Sequence, residues 1–441
     1  MTRRASARPN HRIVVVSVSV VATLAICIGY TIADIHDTVP GLLTSKAAPT
    51  RTYTAIPKPV AAGAVAGKAD RDVAIDKTRA EALIEQLSKK DGVGDGLSVA
   101  IAHADGTVVA GRNVDIDREP ASTTKTLTAF AASETLEMSG TLDTEVYLTH
   151  ADTTPTIVLQ GHGDMLLGSG ENDPSHINGR AGLATLASNT AAALTQRGIT
   201  QVALAVDDTL FGSDRTSSAV EQNNEASAMY TPLSSMAVDG GRIRSGESVD
   251  PDAFTDYPTL SQSTAADAAA TFKALLAQQG ITVTDSSDIS GTEASARIAK
   301  VSSAPLNEVM AFMLRHSDNT LAELFARLTA LKLGLGNSMD ADIQAVTQVL
   351  REHDIPVDGL HLTSCSGLAA GTHLRIPTLL GVQRLLVAVD GGGVSELEGL
   401  SVPGLTGTAR DRAASEGVKG LARVKTGSLT GVRTLAGNVS R

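Results

Sequence analysis

The stretch EPASTTKTLTAF, residues 119–130, places a lysine three positions after a serine at the start of an apolar run. Serine is a favoured helix cap. A capping box, however, would put Glu or Gln at the third helical position, and a cation in the first turn opposes the helix dipole. Lys125 occupies that unfavourable place. Residues i and i+3 share a helix face, so Ser122 and Lys125 can bring a hydroxyl and an amine within contact distance. A lysine so placed could activate the serine as a nucleophile, provided it is neutral part of the time. Burial and a second nearby cation would lower its pKa.

Two further segments carry chemistry. In RHSDNTLAELFARLTALKLG, Thr320 and Glu323 read as a capping box for a helix with Leu321, Leu324, Phe325, Leu328 and Leu331 as its apolar stripe. Ser317, Asp318 and Asn319 then fall in the preceding turn, where ordinary turn chemistry would also favour them. In VKTGSLTG, Lys425 sits on a strand edge and Gly427 leaves the backbone open to a ligand. A solvated lysine before a plain turn is the simpler reading. Each motif alone is weak, but their order and their settings of helix start, interhelical turn and strand match the serine enzymes that react with penicillin.

The chain resembles the D-alanyl-D-alanine carboxypeptidases of the class C low-molecular-mass penicillin-binding proteins. STTK, HSDN and VKTGSLTGVRTLAG carry the likeness from about residue 77 onward, with LQGHGDMLLG, VDDTLF, TPLSSMAVDGG and SGLAAGTHLRIPTLL in support. The resemblance implies an α+β DD-peptidase/β-lactamase-like transpeptidase fold, helices packed on an antiparallel sheet, with a large inserted domain between the first and second motifs. It implies Ser122 as nucleophile, Lys125 as base, Ser317 as proton relay to the leaving amine and Asn319 as a hydrogen-bonding partner of the substrate backbone. Asp318 would point elsewhere and fix the turn. Lys425 and Thr426 would hold the terminal carboxylate of a stem peptide ending in D-Ala-D-Ala. Gly427 would permit close approach, and the Ser122 and Ser428 N–H groups would form the oxyanion hole. β-Lactams would act as inhibitors. No metal or cofactor is called for, and His162, His176, His316 and His361 lack metal-ligand spacing.

These motifs need elements to hold them. A helix is expected over 76–90, a hairpin turning at Asp105-Gly106, strands at TIVLQG and QVALAVDD, and helices at GLATLASNTAAALTQRG, TAADAAATFKALLAQQG and PLNEVMAFMLRH. Near the end, GLARVKTG and VRTLAGNV read as paired strands joined through SLTG. The expected domains are a tail and anchor at 1–33, a linker at 34–76, a catalytic domain at 77–150 plus 300–441, and an insertion at 151–299. The chain stops at Arg441 soon after a strand, which leaves little room for a covering helix and raises a truncated product as an alternative.

With 441 residues, a core is easily built; a net charge of -11, no Trp and 2% aromatics argue against a nucleic-acid partner. Residues 13–33 are uncharged and long enough to cross a bilayer. Arg3, Arg4, Arg8 and Arg12 precede them, so the reading is a single-pass cell-membrane anchor with the catalytic domain on the extracytoplasmic side. Secretion after signal cleavage is the alternative, and Ile26 before Cys27 argues against lipidation. Cys365 alone lies beyond the span, so no internal disulfide is expected, and a buried inert thiol is favoured over a nucleophile. Two rival functions remain. A serine β-lactamase shares the motifs, although its nearest candidate for a deacylating glutamate, Glu352, lacks Glu-x-x-Leu-Asn surroundings. A catalytically weak wall- or β-lactam-binding protein is the other.

Overall fold

The computed structural model describes residues 11–36, 74–149, 155–244, 250–253, 257–290, 292, 295–388, 393–412 and 420–440. The chain divides into two compact units, Met1–Arg71 and Asp72–Arg441. In the first, helix α1 (His11–Ile35) contains a window, Val18–Ile35, long and apolar enough to cross a membrane and only 6% buried. The arginines at 3, 4 and 8 and most of the 34–76 linker lie outside the described residues.

The second unit opens with α2 (Lys77–Ser88), whose first turn is closed by the Asp76 carboxylate accepting the Arg79 N–H at 3.0 Å. Strands β1 (Val99–Ala102) and β2 (Val108–Arg112) then pair antiparallel. Their turn is the expected one: Asp105 accepts the Thr107 N–H, and Gly106 takes a φ of 90° that side chains disfavour. Helix α3 (Thr124–Thr135) follows and is buried along nearly its whole length.

The chain next builds a mixed sheet from β3 (Asp143–Thr149), β4 (Thr156–Gly161), β6 (Gln201–Asp207), β8 (Thr282–Asp285) and β9 (Ala296–Ser302), in the order β8-β6-β4-β3-β9. β3 pairs antiparallel with both β4 and β9, whereas β4, β6 and β8 run parallel. The chain therefore enters and leaves this excursion on neighbouring strands, β3 ending just before residue 151 and β9 crossing residue 299. The short β5 (Asp164–Leu167) and β7 (Met236–Val238) form a separate parallel pair. Helices α4 (Leu183–Thr195) and α5 (Thr264–Gln278) supply Leu186, Leu194, Phe272 and Leu276 to a core shared with Val146, Ile157 and Leu159 of the sheet.

A second core is helical. α6 (Leu306–His316), α7 (Asn319–Lys332), α8 (Met339–Glu352), α9 (Ile376–Leu386) and α10 (Val394–Gly399) gather round α3, burying Leu127, Phe130, Met310, Phe312, Leu321, Phe325, Val346 and Leu350. β10 (Ala422–Leu429) and β11 (Val432–Val439) pair in register, Lys425 opposite Ala436 and Gly427 opposite Thr434.

A fully buried ion pair braces the helical core. The Arg327 Nε of α7 reaches both carboxylate oxygens of Asp342 on α8, at 2.8 and 3.0 Å, while its other nitrogens donate to the Phe211 and Asp214 carbonyls of the inserted region. Removing one partner of such a pair strands the other without water. Asp342→Ala is expected to cost roughly 3–5 kcal/mol, read as a lowered urea midpoint with the slope unchanged; a loss below about 1 kcal/mol would show that this pair does not hold the segments together.

Candidate active site

The first motif lies where the chain turns into α3. Ala121–Thr123 form a 3₁₀ turn in which Ala121 takes a φ of 47°, and the Thr123 and Thr124 hydroxyls donate back to the Pro120 and Ala121 carbonyls at 2.7 and 2.8 Å. Those bonds hold the turn, so the Ser122 hydroxyl is not used as a cap. It accepts instead from the Lys125 Nζ at 3.0 Å.

Lys125 is fully buried, and its Nζ also donates to Asn319 Oδ1 at 2.7 Å and to the Ser366 carbonyl at 2.8 Å. Burial pulls its pKa down to about 7, against the opposing pull of Glu323 and Asp318. Once neutral, the amine can still donate to the two carbonyl oxygens while its lone pair faces the Ser122 hydroxyl. That is the geometry of a base aimed at a nucleophile.

The second motif bridges α6 and α7. Ser317 ends α6 in the left-handed conformation, φ 59° and ψ 37°, a place where Gly or Asn is the usual occupant. The strained backbone turns its Oγ toward Lys425, whose Nζ donates to it at 2.8 Å. Asp318 does fix the turn: one oxygen caps α7 by accepting the Leu321 N–H at 2.9 Å, and the other accepts from Arg242 at 2.6 Å. The capping box expected from Thr320 and Glu323 is therefore corrected, because Asp318 takes the cap and the helix starts at Asn319. Thr320 Oγ1 receives the Thr231 N–H, and the Glu323 carboxylate turns inward to the Cys365 and Ser366 N–H groups. Asn319 completes the turn, its Nδ2 donating to the Met229 carbonyl at 2.8 Å.

The third motif runs along β10. Lys425 is fully buried and, besides Ser317, bonds the Thr426 carbonyl at 2.8 Å. Its pKa is pushed well down by burial and then by the nearby Lys125 and Arg412 charges. The Thr426 hydroxyl donates to Thr408 at 2.7 Å. Gly427 has no room for a side chain: a Cβ there would lie 2.1 Å from Thr434 Oγ1, 2.9 Å from the Pro120 carbonyl and 3.0 Å from the Ser122 nitrogen. The first and third motifs thus touch through their backbones, with Ser428 next along the strand at the surface.

Three motifs widely separated in sequence converge, and a cleft lined by Met229, Arg242, Tyr257, His316, Ser317 and Asn319 opens beside them. Cys365 is fully buried with its thiol pushed well up by burial, so it is the inert thiol and not a nucleophile. Glu352 lies near the end of α8, accepting from Gln348 at 2.9 Å. Met229, Arg242, Glu323, Ser366 and Thr408 were not singled out in the sequence as site residues. Only the unexplained segments TPLSSMAVDGG and SGLAAGTH hinted at the surroundings of the first, second and fourth.

The D-Ala-D-Ala carboxypeptidase 3 (S13) family matches residues 80–260 and 253–441. Carboxypeptidase DacB of Mycolicibacterium smegmatis is 31% identical over 368 residues, covering 79% of this chain and 77% of the relative. Carboxypeptidase Rv3627c of Mycobacterium tuberculosis is 28% identical over 329 residues, 73% of this chain and 68% of the relative. Among solved structures, penicillin binding protein 4 (dacB) of Haemophilus influenzae superposes with a TM-score of 0.62 at 19% identity, over 83% of this chain and 90% of that one. A structure of the same protein complexed with a β-lactam gives 0.56 at 20% identity, over 76% and 84%. The structural likenesses establish the fold.

The crowding at Gly427 yields a test. Gly427→Ala is expected to push the strand off Ser122 and slow acylation by fluorescent penicillin about 100-fold, while circular dichroism stays unchanged; labelling at the native rate would mean the contact has no part in the chemistry.

Proposed function

The chain belongs to the D-Ala-D-Ala carboxypeptidase 3 (S13) family, a serine-type D-Ala-D-Ala carboxypeptidase of the penicillin-binding group, and on that premise we propose how its own residues perform the reaction. The observation that carries the reading is the Lys125 Nζ, fully buried and 3.0 Å from the Ser122 Oγ.

Ser122 Oγ attacks the carbonyl carbon of the terminal D-Ala-D-Ala peptide bond and its proton passes to Lys125 Nζ. Charge developing on the carbonyl oxygen is met by the Ser122 and Ser428 N–H groups; one such donor is worth on the order of 100- to 1000-fold in rate. As the C–N bond breaks, the leaving amine of the terminal D-alanine takes a proton from Lys125, relayed through the Ser317 hydroxyl. Water then attacks the acyl-enzyme ester and regenerates Ser122. Asn319 hydrogen-bonds the substrate backbone. Lys425, Thr426 and Gly427 form the seat of the terminal carboxylate, and an arriving anion raises the proton affinity that burial has depressed in Lys425. A β-lactam acylates the same oxygen and leaves slowly. The substrate class is the peptidoglycan stem peptide, with endopeptidase action on cross-links as an extension of the same chemistry.

Residues 77–150 and 300–441 make the catalytic domain in this reading, and 151–299 the insertion. The adjacency of β3 and β9 supports an excursion that starts and returns at one place. The apolar window Val18–Ile35 supports a membrane anchor or signal segment. We read it as a single-pass anchor that leaves the catalytic domain on the extracytoplasmic side.

Fluorescent penicillin should label the full chain and mass spectrometry should find the adduct on Ser122. Ser122→Ala should abolish both labelling and D-alanine release from diacetyl-L-Lys-D-Ala-D-Ala; an adduct elsewhere would remove the assignment. Rapid nitrocefin turnover would instead favour a β-lactamase, and binding of the tripeptide without release a recognition protein. The pH dependence has a defined sign. A lysine must lose its proton to act as base, so the acylation rate should climb through about pH 7 to a plateau. Lys125→Arg, which stays charged at every accessible pH, should fall about 100- to 10,000-fold without recovery at high pH.

A further inference from the structure

The mechanism leaves the fully buried acid Glu323 unused. Glu323 lies on α7 one turn beyond Asn319, and its two oxygens accept the Cys365 N–H at 3.0 Å and the Ser366 N–H at 2.8 Å. The same short segment is held from the other side: the Thr128 hydroxyl of α3 donates to the Cys365 carbonyl at 2.5 Å. Gly367 then presses on the first motif so closely that a Cβ would stand 2.0 Å from the Ala121 carbonyl and 2.5 Å from Thr124 Oγ1. The Ser366 carbonyl between these anchors is the one that Lys125 Nζ bonds at 2.8 Å.

We infer that Glu323 is a positioning residue for the base: by clamping the 365–367 segment it fixes the Ser366 carbonyl against Lys125 and supplies a buried carboxylate beside that amine. This rests on the assignment of Lys125 as base. A carboxylate suits the task because it offers a separate oxygen to each of two successive N–H groups, whereas an amide has a single acceptor oxygen. Burial raises the Glu323 pKa, while its bonds to the 365–366 segment and the Lys125 charge favour the carboxylate, and that charge bears on the lysine. Around Lys125 stand Glu323, Asp318 and, across the site, Lys425; around Glu323 stand Lys125, Tyr230, Asp342 and the Cys365 thiol. Burial lowers the Lys125 pKa while Glu323 opposes it more than Asp318 does, so removing the carboxylate charge should let the amine lose its proton at lower pH.

The test uses the full chain, with the active fraction counted by fluorescent penicillin and the acylation rate per active site followed against pH. Glu323→Gln should lower the plateau at least about 10-fold and move the acid limb down by about 1 pH unit. Glu323→Asp, shorter by one methylene but still charged, should lower the plateau and leave the limb in place. Thr128→Val, which removes the second tether without touching charge, should do the same. A structural role alone would reduce the folded fraction and the melting temperature with the per-site rate and its pH profile unchanged. That result in the folded variants overturns the inference, and should Glu323→Gln fail to fold, unchanged rates in Glu323→Asp and Thr128→Val overturn it equally. Failure of the underlying assignment is distinguishable, since Lys125→Arg would then keep acylating whatever Glu323 does.

Discussion

The site depends on an amine taken out of water. An ammonium is costly to bury, and the protein holds the Lys125 nitrogen where three elements cross, giving it Ser122 Oγ, Asn319 Oδ1 and the Ser366 carbonyl as partners. Three acceptors satisfy the charged form; two of them satisfy the neutral form and leave the lone pair for the serine proton. Desolvation brings the two forms close in energy near neutral pH, and the bonds keep the nitrogen in place through the change. Arginine could not make that change, so the residue type follows from the chemistry.

Helix α7 does much of the positioning. Asn319, Glu323 and Arg327 recur every four residues and so share one face. The first reaches Lys125, the second the segment behind Lys125, and the third the carbonyls of Phe211 and Asp214 in the inserted region. One rigid helix thereby sets Lys125, the Ser366 carbonyl and the insertion in a common frame. The inserted region returns the support through Met229, which receives the Asn319 amide, and Arg242, which pairs with Asp318. Its contribution to the site is a wall and a brace.

Much of this was legible in the residues. Ser122 and Lys125 stand at a helix start where a lysine is electrostatically misplaced, and the structure gives that amine three buried acceptors against the helix dipole. The hairpin at Gly106, the turn at Asp318 and the pairing of β10 with β11 follow from local chemistry that sequence displays directly. The start of α7 was misread because Thr320 and Glu323 satisfy a local capping pattern, while tertiary partners from Thr231 and the 365–366 segment claim both side chains. Contacts across hundreds of residues, such as Lys125 with the Ser366 carbonyl, leave no periodic trace. The joining of β3 to β9 was hidden for the same reason, since pairing between strands so far apart is set by the sheet and not by either strand.

The most direct test of the buried base is the titration of Lys125 itself. With lysine ε-carbons labelled by ¹³C and the Lys125 resonance assigned from Lys125→Arg, the chemical shift should report a midpoint at about pH 7. A midpoint near 10, in the range of a solvated lysine, would mean that the amine stays protonated at neutral pH and that the serine takes its activation from elsewhere.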